Sequence, residues 1–108
     1  MFLFCEGLLS LLDFSGRELK RNPDHTGFKE IRIGNKHFQI VEYEEGASHT
    51  DWCAIGHVGF VLEGEIRYEL EKGELKVQKG EGFFLPSGTP HRGHNVYNGV
   101  TRFFLVDE

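Results

Sequence analysis

The sequence predicts an all-β domain, a small sandwich or barrel. Three observations carry that reading. From Phe28 onward, apolar and polar residues alternate with period two in runs of four to eight. Those runs recur at a spacing of roughly 8–12 residues. Gly-rich turns separate them, and ten of the 14 glycines fall from residue 46 onward.

The chain has 108 residues, with 12 Lys plus Arg against 17 Asp plus Glu, a formal net charge of −5. This length suits a single domain, 1–108, with an N-terminal arm and loop over 1–27 and the barrel over 28–108. A domain of this size buries about two-thirds of its unfolded surface, enough for a core without staples. The balance of 39% hydrophobic to 27% charged residues argues against disorder. Net negative charge disfavours nucleic acid as a partner, because phosphate binding needs a basic face. No run of 18 apolar residues occurs, so no membrane-spanning segment is expected. Two cysteines, Cys5 and Cys53, are too few for a disulfide framework, and a reducing cytoplasm is expected.

The stretch Met1–Leu12 is apolar but has no basic start, is interrupted by Glu6 and lacks a small-residue cleavage site. It is read as part of the fold, or as a hydrophobic arm, rather than a secretion signal. Leu8, Leu11 and Leu12 share a helical face, which favours a short helix; the same residues also fit an apolar strand. Asn22-Pro23-Asp24 marks a loop. Phe28–Ile33 then alternates, Gly34-Asn35 punctuates, and Lys36–Tyr43 reads as a second strand, ended by Glu44-Glu45-Gly46. His49–Cys53 and His57–Leu62 are two short runs around Ala54-Ile55-Gly56. Glu65–Leu70 places Ile66, Tyr68 and Leu70 on one face; with a turn at Lys72-Gly73 and the resumed alternation of Leu75 and Val77, it predicts a hairpin. Phe83-Phe84-Leu85, a break from Pro86 to Pro90, and Val100–Val106 complete the set.

Three histidines, His49, His57 and His91, fall in the Gly-rich part close to turns. In a strand, residues i and i+2 project from one face, so His49 and Asp51 point together, and Cys53 shares their parity. Imidazole plus carboxylate suits Fe(II), Ni, Zn or Mn better than Ca or Mg. The run from Gly80 through Pro86, Gly88 and His91 to Asn95 has the pattern G-x5-P-x-G-x2-H-x3-N.

That pattern resembles the second motif of the cupin superfamily. The first cupin motif, G-x5-H-x-H-x3–4-E-x6-G, has a degenerate counterpart running from Gly46 through His49, Asp51 and His57 to Val61-Leu62-Glu63-Gly64-Glu65. The resemblance covers about residues 36–106. It implies a double-stranded β-helix, the jelly-roll barrel of a small single-domain cupin, with a central pocket. It also implies a divalent metal, Fe, Mn, Ni or Zn, held by His49, His57 and His91. Asp51 stands where the family has its second His, and His57 where it has its Glu, so the inventory remains three His and one carboxylate. Asp51 is either a fourth ligand or accepts a proton from a ligand imidazole.

Other residues have plainer readings. Cys53 is by default a small buried hydrophobe, with a soft ligand or redox-sensitive thiol as the sharper readings. Trp52 faces the opposite side, towards a subunit contact. His94 lies at the pocket mouth or on the surface, and His25 and His37 are expected to be solvated.

Two functional readings follow. In one, the chain is a metal-dependent enzyme of oxygenase or isomerase/epimerase type acting on a small polar metabolite. In the other, it is a non-catalytic small-molecule binding or sensing module, with or without metal. The apolar arm, Phe2–Leu12, needs a cover, and a homodimer is expected.

Overall fold

The computed structural model describes residues 11–107. Nine strands occur among the described residues, in chain order: β1 (Lys20–Arg21), β2 (Thr26–Ile33), β3 (Lys36–Tyr43), β4 (His57–Glu63), β5 (Glu65–Leu70), β6 (Gly73–Gln78), β7 (Gly82–Leu85), β8 (His91–Asn95) and β9 (Thr101–Asp107). Every pairing is antiparallel. One sheet has the order β1-β2-β3-β9-β4-β7 and the other β6-β5-β8. The all-β expectation is met: the described residues contain no helix, and none long and apolar enough to cross a membrane.

The β2–β3 hairpin closes on Gly34-Asn35, because Ile33 pairs directly with Lys36. Gly34 has φ +60° while Asn35 does not go positive, the pattern of a type II′ turn. The β5–β6 hairpin turns on Glu71-Lys72, one residue earlier than the alternation suggests, since Gly73 already pairs with Leu70. Two strands escape the sequence reading. β1 is a two-residue extension within the segment expected as loop. β8 carries His91, Gly93 and Asn95 inward, so it shows no apolar alternation at all.

Inward residues alternate along β4 and β9. On β4, His57, Gly59 and Val61 are buried; on β9, Thr101, Phe103 and Leu105 are. With Tyr43, Ile66, Tyr68, Val77, Phe83 and Leu85 they form the core between the two sheets. Phe103 is 1% exposed; burying such a side chain stabilises the fold by about 2–3 kcal/mol. Gly59 allows the Phe83 ring to lie against the β4 backbone: a Cβ there would sit 2.2 Å from Phe83 Cζ. The ring stack continues from Phe83 to Tyr68 (centroids 5.1 Å apart) and from Tyr68 to His91 (5.6 Å). Apolar packing thus leads directly to one histidine of the predicted site.

The helix or strand expected around Leu8, Leu9, Leu11, Leu12 and Phe14 falls largely outside the described residues. Residues 11–14 take no regular secondary structure. Phe14 lies edge-on to Phe104, with centroids 6.3 Å apart. Beyond that contact, Val58, Phe60, Leu62 and Phe84 on neighbouring β4 and β7 are 41–55% exposed.

Candidate metal centre

His57 opens β4 and His91 opens β8, so the two sheets bring them together at one end of the core. Their rings lie 5.1 Å apart at 72°. Between β3 and β4 the chain touches β8 through two isolated bridges, Ser48 to His94 and Cys53 to His91. Five residue steps on one side match three on the other, so the segment bows outward between the bridges. That bow breaks the alternation assumed for His49, Asp51 and Cys53. Trp52 and Asp51 are exposed, whereas Cys53 turns inward beside His91. Trp52 does not lie free: the Arg92 guanidinium stacks over it at 4.4 Å.

The ligand-capable atoms of Cys53, His57 and His91 all lie within 4.8 Å of one another. The hydrogen bonds of the two histidines prepare their Nε2 atoms to donate lone pairs. His91 Nδ1 donates to the Thr89 carbonyl at 2.8 Å. A carbonyl only accepts, so the proton sits on Nδ1 and the lone pair on Nε2. His91 Nε2 is buried and has no hydrogen-bond partner. An orphaned buried acceptor costs about 1–3 kcal/mol, and a cation beside it removes that penalty. His57 Nδ1 donates to Asp107 Oδ1 at 2.9 Å, which leaves its Nε2 available too. Burial, with His91 close by, pushes the His57 pKa down from its ordinary value against the pull of Asp107. The neutral ring that metal binding needs is therefore favoured. The donor set, two imidazoles and a thiol, fits Zn, Fe(II), Ni or Co far better than Ca or Mg.

A cavity of about 270 Å³ opens beside these atoms. His49 and Asp51 line it, but their side chains stand outside the close cluster of Cys53, His57 and His91. His49 is engaged elsewhere: its Nδ1 donates to Asp24 Oδ2 at 2.6 Å, and its ring sits edge-on to Tyr43 at 5.4 Å. Asp24 also accepts the Thr26 amide (3.1 Å) and hydroxyl (2.7 Å). Desolvation raises the Asp24 pKa, but these bonds together outweigh it and hold the carboxyl below its ordinary value. An ionised Asp24 keeps the His49 proton on Nδ1 and leaves Nε2 to accept one. Burial pushes the Tyr43 and Tyr68 hydroxyls well up, so both stay neutral phenols.

The remaining histidines divide. His25 is exposed and adopts φ +67°. His37, expected to be solvated, is instead only 15% exposed at its side chain and lies 2.7 Å from both Asp107 and Glu30. Solvation gives way there to cross-strand pairing, since His37 and Asp107 are direct neighbours on β3 and β9. His94 hydrogen-bonds Ser48 and Glu69 and is not on the cavity wall.

Asp107, Asp24 and the place of Cys53 beside His57 and His91 are not singled out by the sequence motifs. Only Cys53 leaves a local signal. With His57 at the place of the family's Glu, seven positions before Gly64, the spacing x3 counted backwards lands on Cys53 for the second His. Counting forwards from Gly46 with the spacing x5 lands on Trp52 instead, past both His49 and Asp51, because the bowed segment is irregular.

Residues 39–107 match the protein family described as Cupin domain. No curated protein matches the chain. Solved structures do. The cupin domain of Schizosaccharomyces pombe Cnp3 superposes with a TM-score of 0.73 at 15% identity, over 88% of this chain. This chain spans only 66% of that one, just under two thirds. The polyketide cyclase RemF from Streptomyces resistomycificus gives 0.76 at 20% identity, covering 93% of this chain and 79% of that one. A sugar phosphate isomerase of Silicibacter pomeroyi gives 0.74 at 18% identity, covering 91% and 74%. At such identities the likeness shows the fold. The jelly-roll architecture and the resemblance drawn from the two motifs are both borne out.

Proposed function

The chain belongs to the cupin family, and we propose that it holds a divalent transition metal in its cavity and there binds or transforms a small polar metabolite. The carrying observation is the buried, unpartnered Nε2 of His91, with His57 and Cys53 close enough to complete a three-donor face. His91, His57 and Cys53 are the assigned ligands. Asp51 and His49, on the same cavity wall, stand next to the open side, where a fourth donor or the metabolite enters. A metal there supplies a Lewis acid that polarises an oxygen of the bound molecule.

This chain's own residues supply the rest. His49, held by Asp24, accepts a proton at Nε2. Tyr43 and Tyr68 stay protonated and can only donate or accept a hydrogen bond. Oxygenase and isomerase or epimerase chemistry both suit such a site, and two of the similar folds are a cyclase and a sugar phosphate isomerase.

The second reading, a binding or sensing module, draws on the soft Cys53 thiol. Thiolate plus two imidazoles closed by one more side chain is the ligand set of a structural zinc. A free thiol as ligand suits a reducing compartment, which favours the cytoplasm. A second copy of the chain is the proposed cover for the exposed face of Val58, Phe60, Leu62 and Phe84.

Elemental analysis of protein purified without tag or chelator tests the metal. About one Fe, Mn or Ni per chain, lost in His91→Ala, supports an open catalytic centre. One tightly held Zn moves the weight to the closed site. No metal after incubation with each ion overturns the reading. A substrate screen with the reconstituted protein then separates catalysis from binding.

A further inference from the structure

We propose that His37 is a positioning residue for His57, acting through Asp107 and backed by Glu30. For its consequence on metal affinity, the inference rests on the metal reading above.

The geometry is a row across three strands. His37 on β3, Asp107 on β9 and His57 on β4 are direct Cα partners, His37 to Asp107 and His57 to Asp107. In an antiparallel sheet, directly paired residues project from the same face. The three side chains therefore stand side by side, with the aspartate in the middle. Asp107 Oδ1 accepts from His57 Nδ1 at 2.9 Å, and Asp107 Oδ2 accepts from His37 Nδ1 at 2.7 Å. Gln39 Nε2 adds longer contacts of 3.3 and 3.5 Å to the two oxygens.

A carboxylate held at one oxygen only can swing about its terminal torsion, which is broad and soft. Held at both oxygens by two rings on flanking strands, it cannot swing without breaking a bond. His37 is itself fixed from behind, since its Nε2 lies 2.7 Å from Glu30 Oε1. Glu30 is in turn engaged by Lys20 Nζ at 2.9 Å and Arg32 Nε at 3.4 Å. The row runs inward from this surface cluster to the cavity. Its inner end determines which nitrogen of His57 carries the proton: Nδ1, facing Asp107, with Nε2 left for the cavity.

Among the described residues, nothing else requires a histidine at position 37. It lies outside both sequence motifs and is not on the cavity wall. Its contacts are carboxylates and one amide, and all lead to Asp107 or Glu30.

The test reads His57 directly. Nitrogen-15 spectra of the imidazole rings, recorded at one pH on metal-free protein, report the His57 tautomer. In wild type the Nδ1–H form is expected to dominate. His37→Ala and the bulkier His37→Met both remove the donor to Asp107, so either one that folds suffices; in it the two tautomers are expected to mix. His37→Asn places an amide donor where His37 Nδ1 stood and is expected to restore the wild-type spectrum, which a merely space-filling role does not predict. Zinc affinity, measured by competition with a chromophoric chelator, should fall roughly three- to tenfold in His37→Ala or His37→Met, below the 10- to 100-fold typical of a direct partner of a ligand, and recover in His37→Asn. An unchanged tautomer in a folded His37→Ala or His37→Met protein, or no recovery in His37→Asn, overturns the inference. If wild type binds no zinc, the metal reading fails on that result alone, and the tautomer comparison still decides the role of His37.

Discussion

The Thr101 hydroxyl donates to the Asn95 side-chain carbonyl at 2.8 Å, and both residues are buried, at 0% and 6% exposure. Asn95 is the last residue of the motif that opens at Gly80. Its Nδ2 donates to the carbonyls of Tyr43, Glu44 and Gly99 at 2.8–3.1 Å, and its Oδ1 also accepts the Tyr97 amide at 2.9 Å. One side chain thus ties the end of β3, the β8–β9 loop and the start of β9. Asn95→Ala leaves several buried groups without partners. A loss of about 2–4 kcal/mol is expected, read as a lowered midpoint in urea with an unchanged slope.

Gly64 turns the chain from β4 into β5 with φ +84°, and a Cβ there would lie 2.9 Å from the Thr101 Cα. Gly46 has a similar φ, +77°, but open space around it. Gly46→Ala should cost about 1–2 kcal/mol, the left-handed backbone penalty alone. Gly64→Ala should cost more, about 3 kcal/mol, because backbone crowding adds to that penalty. Thermal or chemical unfolding of the two variants side by side checks the order.

Glu69 provides the pH prediction. Hydrogen bonds from Arg92 and then His94 hold its carboxyl down to about 2, from an ordinary 4.5. A depressed pKa means that the ion pair stabilises the fold above the ordinary value, and that this contribution drains away as pH falls from 4.5 through about 2. Wild type should therefore lose more stability than Glu69→Gln between pH 6 and pH 2.5. Parallel curves for the two proteins would remove Glu69 from the account. Trp52 fluorescence gives a local readout, since Arg92 joins the Glu69 pair to the Trp52 ring.

Cobalt(II) distinguishes the ligands. A thiolate bound to cobalt gives a charge-transfer absorption in the near ultraviolet. Cys53→Ala should abolish that band while binding persists, more weakly, through His57 and His91. His91→Ala should cost more affinity than the roughly 10- to 100-fold expected for outer partners such as Asp107. His49→Ala and Asp51→Ala should keep the band. A band that survives Cys53→Ala would have to come from another thiolate and would remove Cys53 from the ligand set; no band in wild type, with cobalt bound, would move the donor role towards the cavity rim.

The exposed row on β4 and β7 carries the assembly prediction. Light scattering should give the mass of two chains, and Phe60→Asp or Phe84→Asp should reduce it to one. A single-chain mass for wild type refutes the dimer.

The legibility of this molecule from its sequence follows its chemistry. β2, β3, β5 and β6 announce themselves because apolar and polar side chains alternate along them. β8 does not, because its inward positions hold His91, Gly93 and Asn95, chosen for site and hydrogen bonding rather than for burial of apolar surface. His57 and His91 are legible because motif spacing fixes them relative to Gly64 and Pro86. Cys53 is obscured by the bow between the two isolated bridges, where period two fails. Asp107 and His37 are 70 residues apart, and only strand pairing makes them neighbours. No local pattern encodes such a pair.

The central place of β9 between β3 and β4 has a kinetic consequence. His37, His57 and Asp107 meet only after loops of 50 and 70 residues have closed. Loop closure at that separation is slow relative to hairpin formation. The β2–β3 and β5–β6 hairpins can therefore zip early, while the ordered cavity wall waits for the last strand to insert. A metal ion that meets the chain before that insertion finds the imidazoles of His57 and His91 without the aspartate that orients one of them. On the proposed metal reading, tight capture is thus a late event that follows the insertion of β9.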